Sequence, residues 1–350
     1  MDIIEATIHR IEKAAHTQGE GSVTKQWRND NLPIDDTLIG ISRGLLALYN
    51  RTSDSSGTFG TNPNTHVFPL RFNEYCNSEI NFYDLSRATV DLIADEMTRS
   101  RLANGGYALF LRYREPPNDF LLIAMLKLKP GAGIDENSLG LLPTLSIDLD
   151  LLNEAARINI TRLAVNEEPY LTFITGARKH TEVTEYFRNA LSCLNYTNAS
   201  VQTKQLIQAA DDFVAQREDL ESDEDRQHEK LEVRRRLYDC LQQNRSEVTL
   251  ATAAAAIHPA EPDEFVAFSR TEVGGERRYN ISSRFKPDNK TTRGLRRITG
   301  TMGSVRISFD VEDVRSGTIE YDAQYDSIII KRPSEKLKQD ILEHVDTSAD

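Results

Sequence analysis

Apolar residues recur at helical spacing through Ile34, Leu38, Ile41, Leu45 and Leu48, just behind Asp35 and Asp36. This spacing predicts an amphipathic helix entered through an acidic cap. Residues 51–65 are rich in Ser, Gly, Thr and Asn and are expected to form an exposed loop. A second helix is predicted over 84–102, closed by Asn104, Gly105 and Gly106. The pattern then turns β-rich. Residues 107–114 and 120–129, joined by Glu-Pro-Pro-Asn-Asp, predict an antiparallel hairpin. Residues 158–165 and 170–175 read as further strands, and 181–194 as a helix. From Val201 the chain becomes helical, with Leu206, Ala210, Phe213 and then Arg217 along one stripe. Short strands follow at 304–310, 317–321 and 327–331, before a terminal helix from Ser334.

These elements predict an α+β fold. An N-terminal mixed α/β domain with an antiparallel hairpin is placed at residues 1–199. A second domain at 200–350 comprises a helical region and a small C-terminal α+β subdomain. At 350 residues, with 39% apolar and 27% charged positions, the chain is long enough for both and ordinary enough in composition to fold.

Charge changes the picture. The net charge is −12, which argues against wholesale coating of nucleic acid. Yet residues 270–306 hold ten Arg or Lys against three acids, a local net of +7. Within it, residues 286–300 read as a short helix. Arg293, Arg296 and Arg297 would share one face at i, i+3 and i+4, opposite Leu295, Ile298 and Met302. Thr292 or Asn289 would cap it and Gly300 would stop it, while Gly294 costs about 1 kcal/mol against Ala inside a helix. Arg277, Arg278, Arg284, Lys286 and Lys290 extend the basic segment. A cationic ridge backed by an apolar anchor suits contact with a phosphate backbone. A second basic spot, Arg178 and Lys179, follows Gly176 where a strand is expected to run into a helix, so backbone N–H groups and two bases would form a phosphate seat. The competing reading there is a turn with solvated bases. Over residues 218–236, acids come early and bases late, which suits a helix macrodipole and a structural role.

Other chemistry is sparse. Cys76, Cys193 and Cys240 lack CxxC spacing, so reduced thiols are expected. The N-terminus lacks the pattern of a signal peptide, and no apolar run approaches the roughly 18 residues of a membrane span, so a soluble intracellular protein without membrane contact is expected. GxxxxGK[ST], GxGxxG, GxSxG and HExxH do not occur, and the seven histidines show no metal-ligand spacing with one another or with the cysteines. Asp148 with Asp150, or Glu320, Asp322 and Asp326 near Lys331, would be the residues of a metal-dependent phosphodiesterase, but both sets read better as strand and hairpin surface. The expectation is a non-enzyme with no catalytic residue, metal or cofactor.

Several blocks in register resemble the bacterial nucleoid-associated protein NdpA/YejK family. They are residues 105–114 with 120–128, 170–176 running into Glu185-Tyr-Phe187, 205–213, 285–300, 305–310 and 328–331. The resemblance covers roughly residues 3–342. It implies a cytoplasmic protein of the bacterial nucleoid, a homodimer, no assigned catalytic activity, and a possible type II topoisomerase as partner. Only Arg293 and Arg297 carry over as DNA contacts; Arg296 and the surrounding basic density are richer than the family pattern. The expected function is sequence-nonspecific binding of double-stranded DNA in chromosome organisation. The alternative is an adaptor that reaches the nucleoid through a DNA-handling protein.

Overall fold

The computed structural model describes residues 1–345 apart from 15, 150–151, 153, 175–182 and 274–275. Arg178, Lys179 and Asp150 therefore lie outside the described residues. The first part of the chain runs β1 (Asp2–Lys13), β2 (Val23–Gln26), α1 (Asp36–Thr52), β3 (Ser53–Phe59), α2 (Val67–Cys76), α3 (Phe82–Arg99), β4 (Gly106–Glu115) and β5 (Asn118–Leu126). It continues through β6 (Leu128–Ile134), β7 (Leu141–Ile147), β8 (Ala155–Asn159), α4 (Ile160–Ala164), β9 (Leu171–Ile174), α5 (Glu185–Ala190) and β10 (Cys193–Asn198).

Eight of these strands form one antiparallel sheet in the order β10-β3-β9-β8-β5-β4-β1-β2. The near-continuous apolar runs of β4 and β5 follow from burial on both faces. Phe110, Leu121 and Ile123 point to one side, where they pack with Phe68, Phe72, Leu85 and Ile93 of α2 and α3. Leu109, Leu111 and Leu122 point to the other, against Leu45, Leu46 and Tyr49 of α1. The expected cap of α1 is present: Asp35 accepts from the Leu38 backbone N–H at 2.8 Å. The expected hairpin joins β4 and β5 in continuous register from Tyr107↔Leu126 to Glu115↔Asn118. α+β is the fold class.

Three expectations fail locally. Of residues 51–65 only 60–65 form the expected loop; 51–52 end α1, and β3 (Ser53–Phe59) lies between β10 and β9. Its Ser and Gly residues are there because the neighbours come close. A Cβ on Gly57 would sit 2.9 Å from the Leu194 carbonyl oxygen, and Ser56 bonds Ser282 and Gln202 through its hydroxyl. The strand expected over 158–165 stops at Asn159, whose side chain accepts from Arg162 N–H at 3.0 Å and opens α4. The helix expected over 181–194 is, among the described residues, only α5, and the chain is extended again from Cys193.

The second part runs α6 (Ala199–Gln216), α7 (Asp223–Gln243), β11 (Val248–Thr249), α8 (Leu250–Ile257), α9 (Pro262–Ser269), β12 (Glu272–Val273), β13 (Glu276–Arg277), β14 (Arg284–Phe285) and α10 (Asn289–Gly294). Leu206 and Phe213 of α6, Leu237 of α7, Ile257 of α8 and Phe265 of α9 make a separate apolar core, closed by Tyr279 and Phe285. The boundary proposed at 199/200 falls in the first turn of α6. The remainder, β15 (Arg297–Met302), β16 (Val305–Asp310), α11 (Val311–Arg315), β17 (Ile319–Asp322), β18 (Ser327–Ile330) and α12 (Glu335–Val345), consists of two hairpins and two helices with most side chains exposed. No helix among the described residues is long and apolar enough to cross a membrane.

One buried polar group makes the fold sensitive to acid. His9 of β1 is 1% exposed, with Nε2 2.9 Å from the Ser86 hydroxyl and Nδ1 accepting from Arg28 N–H at 3.3 Å. Since Ser86 donates onward to the Tyr83 carbonyl, Nε2 carries the proton and Nδ1 has no room for a second one. Burial, and then the nearby Arg87 charge, lower the His9 pKa from 6.5 to about 4. The unfolded chain thus binds a proton at His9 before the folded chain does. The stability involved is fully present above pH 6.5 and is lost as pH falls toward 4. The urea midpoint of wild type should fall over that window more steeply than that of His9→Gln; parallel curves would refute this.

Candidate nucleic-acid interface

The basic segment does not form the helix its letters suggest. α10 begins at Asp288, which caps it by accepting from Thr291 N–H at 2.7 Å and from the Thr291 hydroxyl at 2.6 Å. The Asp288 N–H in turn donates to the Thr203 hydroxyl at 2.9 Å, and buried Thr292 donates back to the Asp288 carbonyl at 2.8 Å, so α10 is fastened to α6. The helix stops at Gly294. β-branched Ile298, Thr299 and Thr301 then favour a strand, and Arg297–Met302 pairs with Val305–Asp310 around a turn at Gly303, whose φ is +58°. Arg293, Arg296 and Arg297 therefore share no helical face. Gly300 lies within a strand, not at a helix end. Of the expected apolar anchor only Leu295 packs on the second core, while Ile298 and Met302 are exposed.

Four of the arginines are engaged by acids from elsewhere in the chain. Arg277 makes a two-pronged pair with Glu168, both bonds 2.9 Å, in a partly buried setting. Arg278 reaches Asp212 at 3.4 Å and lies over the Tyr279 ring. Arg284 meets Glu167 at 3.1 Å and Glu247 at 3.7 Å. Arg296 bonds Asp310 at 2.7 Å, approaches Glu312 at 3.5 Å and stacks 5.0 Å over Tyr238. Most of the +7 is thus balanced internally.

A smaller basic surface remains. Lys286, Lys290 and Arg293 are exposed, and no described acid pairs with them. Lys290 and Arg293 stand at i and i+3 on α10, so their charges leave the helix on one side. Arg297 and Arg306 are exposed on the hairpin that follows; Arg297 donates to the Ser308 hydroxyl at 3.1 Å.

Lys286 also lines a cleft of about 410 Å³ where the two parts of the chain meet. There it joins Arg157 of β8 and Arg162 of α4, two bases that the sequence did not single out. Arg157 donates to the Asn50 side chain at 2.8 Å and is stacked on Tyr49 and Phe120, 4.8 and 5.0 Å from the ring centres. Among the described residues, the Arg162 guanidinium bonds only the backbone carbonyl of Pro169, at 3.4 Å. The available signal was a lone Arg inside the apolar strand Ala155–Asn159. Exposed or neutrally partnered bases in this arrangement can neutralise phosphates without reading bases.

The acids considered for phosphodiester chemistry that lie among the described residues have structural partners. Lys331 pairs with Glu320 across the β17–β18 hairpin, and Asp322 accepts from Gln324 and Tyr325 N–H groups in its turn. Asp148 is buried, 3.7 Å from Lys129.

Comparison with known proteins returns a consistent result. The family model described as nucleoid-associated protein YejK matches residues 7–338. A nucleoid-associated protein of Pseudomonas aeruginosa is 28% identical over 344 residues, 97% of each chain. A nucleoid-associated protein of Azotobacter vinelandii is 28% identical over 351 residues, 99% of each chain. Nucleoid-associated protein YejK of Escherichia coli is 28% identical over 344 residues, again 97% of each.

Proposed function

Because the chain belongs to the family of the nucleoid-associated protein YejK, we propose that it associates with the nucleoid by binding double-stranded DNA without base selectivity. In this reading it is a cytoplasmic bacterial homodimer that helps to organise the chromosome and acts by binding, without catalysis. The observation that carries the reading is the set Lys286, just ahead of the firmly capped helix α10, and Lys290 and Arg293 on it, exposed bases with no described acid to neutralise them. Arg297 and Arg306 extend that surface, and Arg157 and Arg162 stand beside Lys286 in the cleft. Phosphate contacts of this kind release counterions. With four to five contacts, log K should fall against log salt with a slope of about −4, the same for any duplex sequence. Fluorescence anisotropy across a salt series measures it; absence of binding at low salt would overturn the proposal.

A second reading is favoured by a separate observation. Asp223, Glu224 and Asp225 project from the first turn of α7, exposed, while four arginines of the basic segment are already paired. Such an acidic face suits a basic DNA-handling protein, such as a type II topoisomerase, through which the chain would reach the nucleoid. Binding of the purified chain to bare duplex at low salt counts against this version.

A further inference from the structure

The turn from α8 to α9 holds a cluster that the basic surface does not use. His258 ends α8, Glu261 precedes α9 and Glu264 lies in the first turn of α9; one donor atom from each falls within 4.8 Å of the other two. The three line a cleft of about 670 Å³ that is also walled by Glu218, Asp219 and Arg217.

Each side chain is placed where a ligand would need it. The His258 side chain is largely buried, 11% exposed, and is set against Phe213, 5.4 Å between ring centres. Its Nε2 faces the cleft and stands 3.5 Å from Glu264 Oε2. Two donors on a tetrahedral ion at bond lengths of about 2.1 Å stand about 3.4 Å apart, so this pair is already at ligand spacing. Glu261 occupies the N-cap of α9, where a carboxylate ordinarily accepts from the first turn; it makes no such bond. Instead its carboxylate lies beside that of Glu264, an oxygen of each within 4.8 Å of the other. Two acids turned toward each other beside an imidazole nitrogen are an unfavourable arrangement unless a cation joins them. Arg217, whose guanidinium stands in the wall, is held by Asp219 and Glu229.

We propose that His258, Glu261 and Glu264 bind one divalent transition-metal ion of the Zn²⁺ class, clasping the end of α8 to the start of α9. One nitrogen and two carboxylate oxygens select Zn²⁺ over the all-oxygen ions Mg²⁺ and Ca²⁺. Glu261 is exposed, so rotation of its side chain can bring the third donor to bonding distance. The coordination positions left over face the cleft and take water or an anionic ligand.

The test uses the full chain after chelator treatment, titrated with Zn²⁺ by calorimetry and with Co²⁺ by visible absorption. One ion per chain is expected, with a melting temperature that rises with free Zn²⁺. Glu261→Gln/Glu264→Gln alters two exposed side chains and should remain folded. It should weaken Zn²⁺ binding by more than about tenfold, since even outer partners of a metal site cost about 10–100-fold. His258→Gln should do the same and also remove the nitrogen contribution to the Co²⁺ spectrum. No uptake, or uptake unchanged in the Glu261→Gln/Glu264→Gln chain, would overturn the proposal, the latter by assigning the ion to exposed Cys76 or other histidines.

Discussion

Reversing Lys286, Lys290 and Arg293 together to glutamate is expected to lower affinity for an unspecific duplex about 10²–10³-fold at 0.1 M salt. Each phosphate contact contributes about 0.9 of a decade there through counterion release, so three removed contacts account for the fall. The salt slope should flatten by nearly three units in the same experiment, and by the same amount for every duplex. The substituted side chains are exposed, and the fastening of α10 through Asp288, Thr203 and Thr292 does not involve them. Loss of affinity would therefore report lost contacts, not lost fold, which circular dichroism can verify. Arg296→Glu should have a much smaller effect, because Asp310 and Glu312 already occupy that guanidinium. Unchanged binding in the triple variant, in anisotropy titrations against wild type, would remove α10 from the interface.

Gly57→Val is expected to be among the most damaging single substitutions in the chain, costing about 3 kcal/mol, the upper part of the range for overfilling a packed site. The new Cβ would press on the Leu194 carbonyl oxygen and the Cys193 sulfur, and neither the backbone of β10 nor its bond to β3 can move aside cheaply. The urea midpoint measures it. An exposed loop at 51–65 would accept the same change with almost no effect, so a wild-type midpoint would contradict the placement of β3 within the sheet.

That contrast shows where the letters inform and where they mislead. The β4–β5 hairpin and α1 were readable because their signals are local: apolar runs flanking a turn, and an acid just ahead of a helical stripe. β3 was not, because its Ser and Gly residues imitate a loop when read alone and make sense only beside β10, more than a hundred residues away. The basic segment misled for a related reason. Its ten bases lie close together in the sequence, but Arg277, Arg278 and Arg284 have as counterions Glu167, Glu168, Asp212 and Glu247, brought in by folding. Arg293 and Lys290 remained candidates because no acid among the described residues pairs with them. Arg157 and Arg162 were invisible as a pair with Lys286, since only the packing of α4 and β8 against the second part of the chain creates their cleft. The spacing of His258, Glu261 and Glu264 is visible in the chain, but not that the capping glutamate turns away from its helix.

The two ends of the eight-stranded sheet constrain how copies of this chain can meet. β2 is four residues long and carries Lys25, paired with Asp91, while β10 loses register between Leu194 and Thr197. Short, charged or irregular margins resist the addition of a foreign strand. A homodimer of this protein would therefore be held by side chains meeting across a two-fold axis instead of by one sheet continued through both subunits. Its subunits could then exchange without any strand being unzipped.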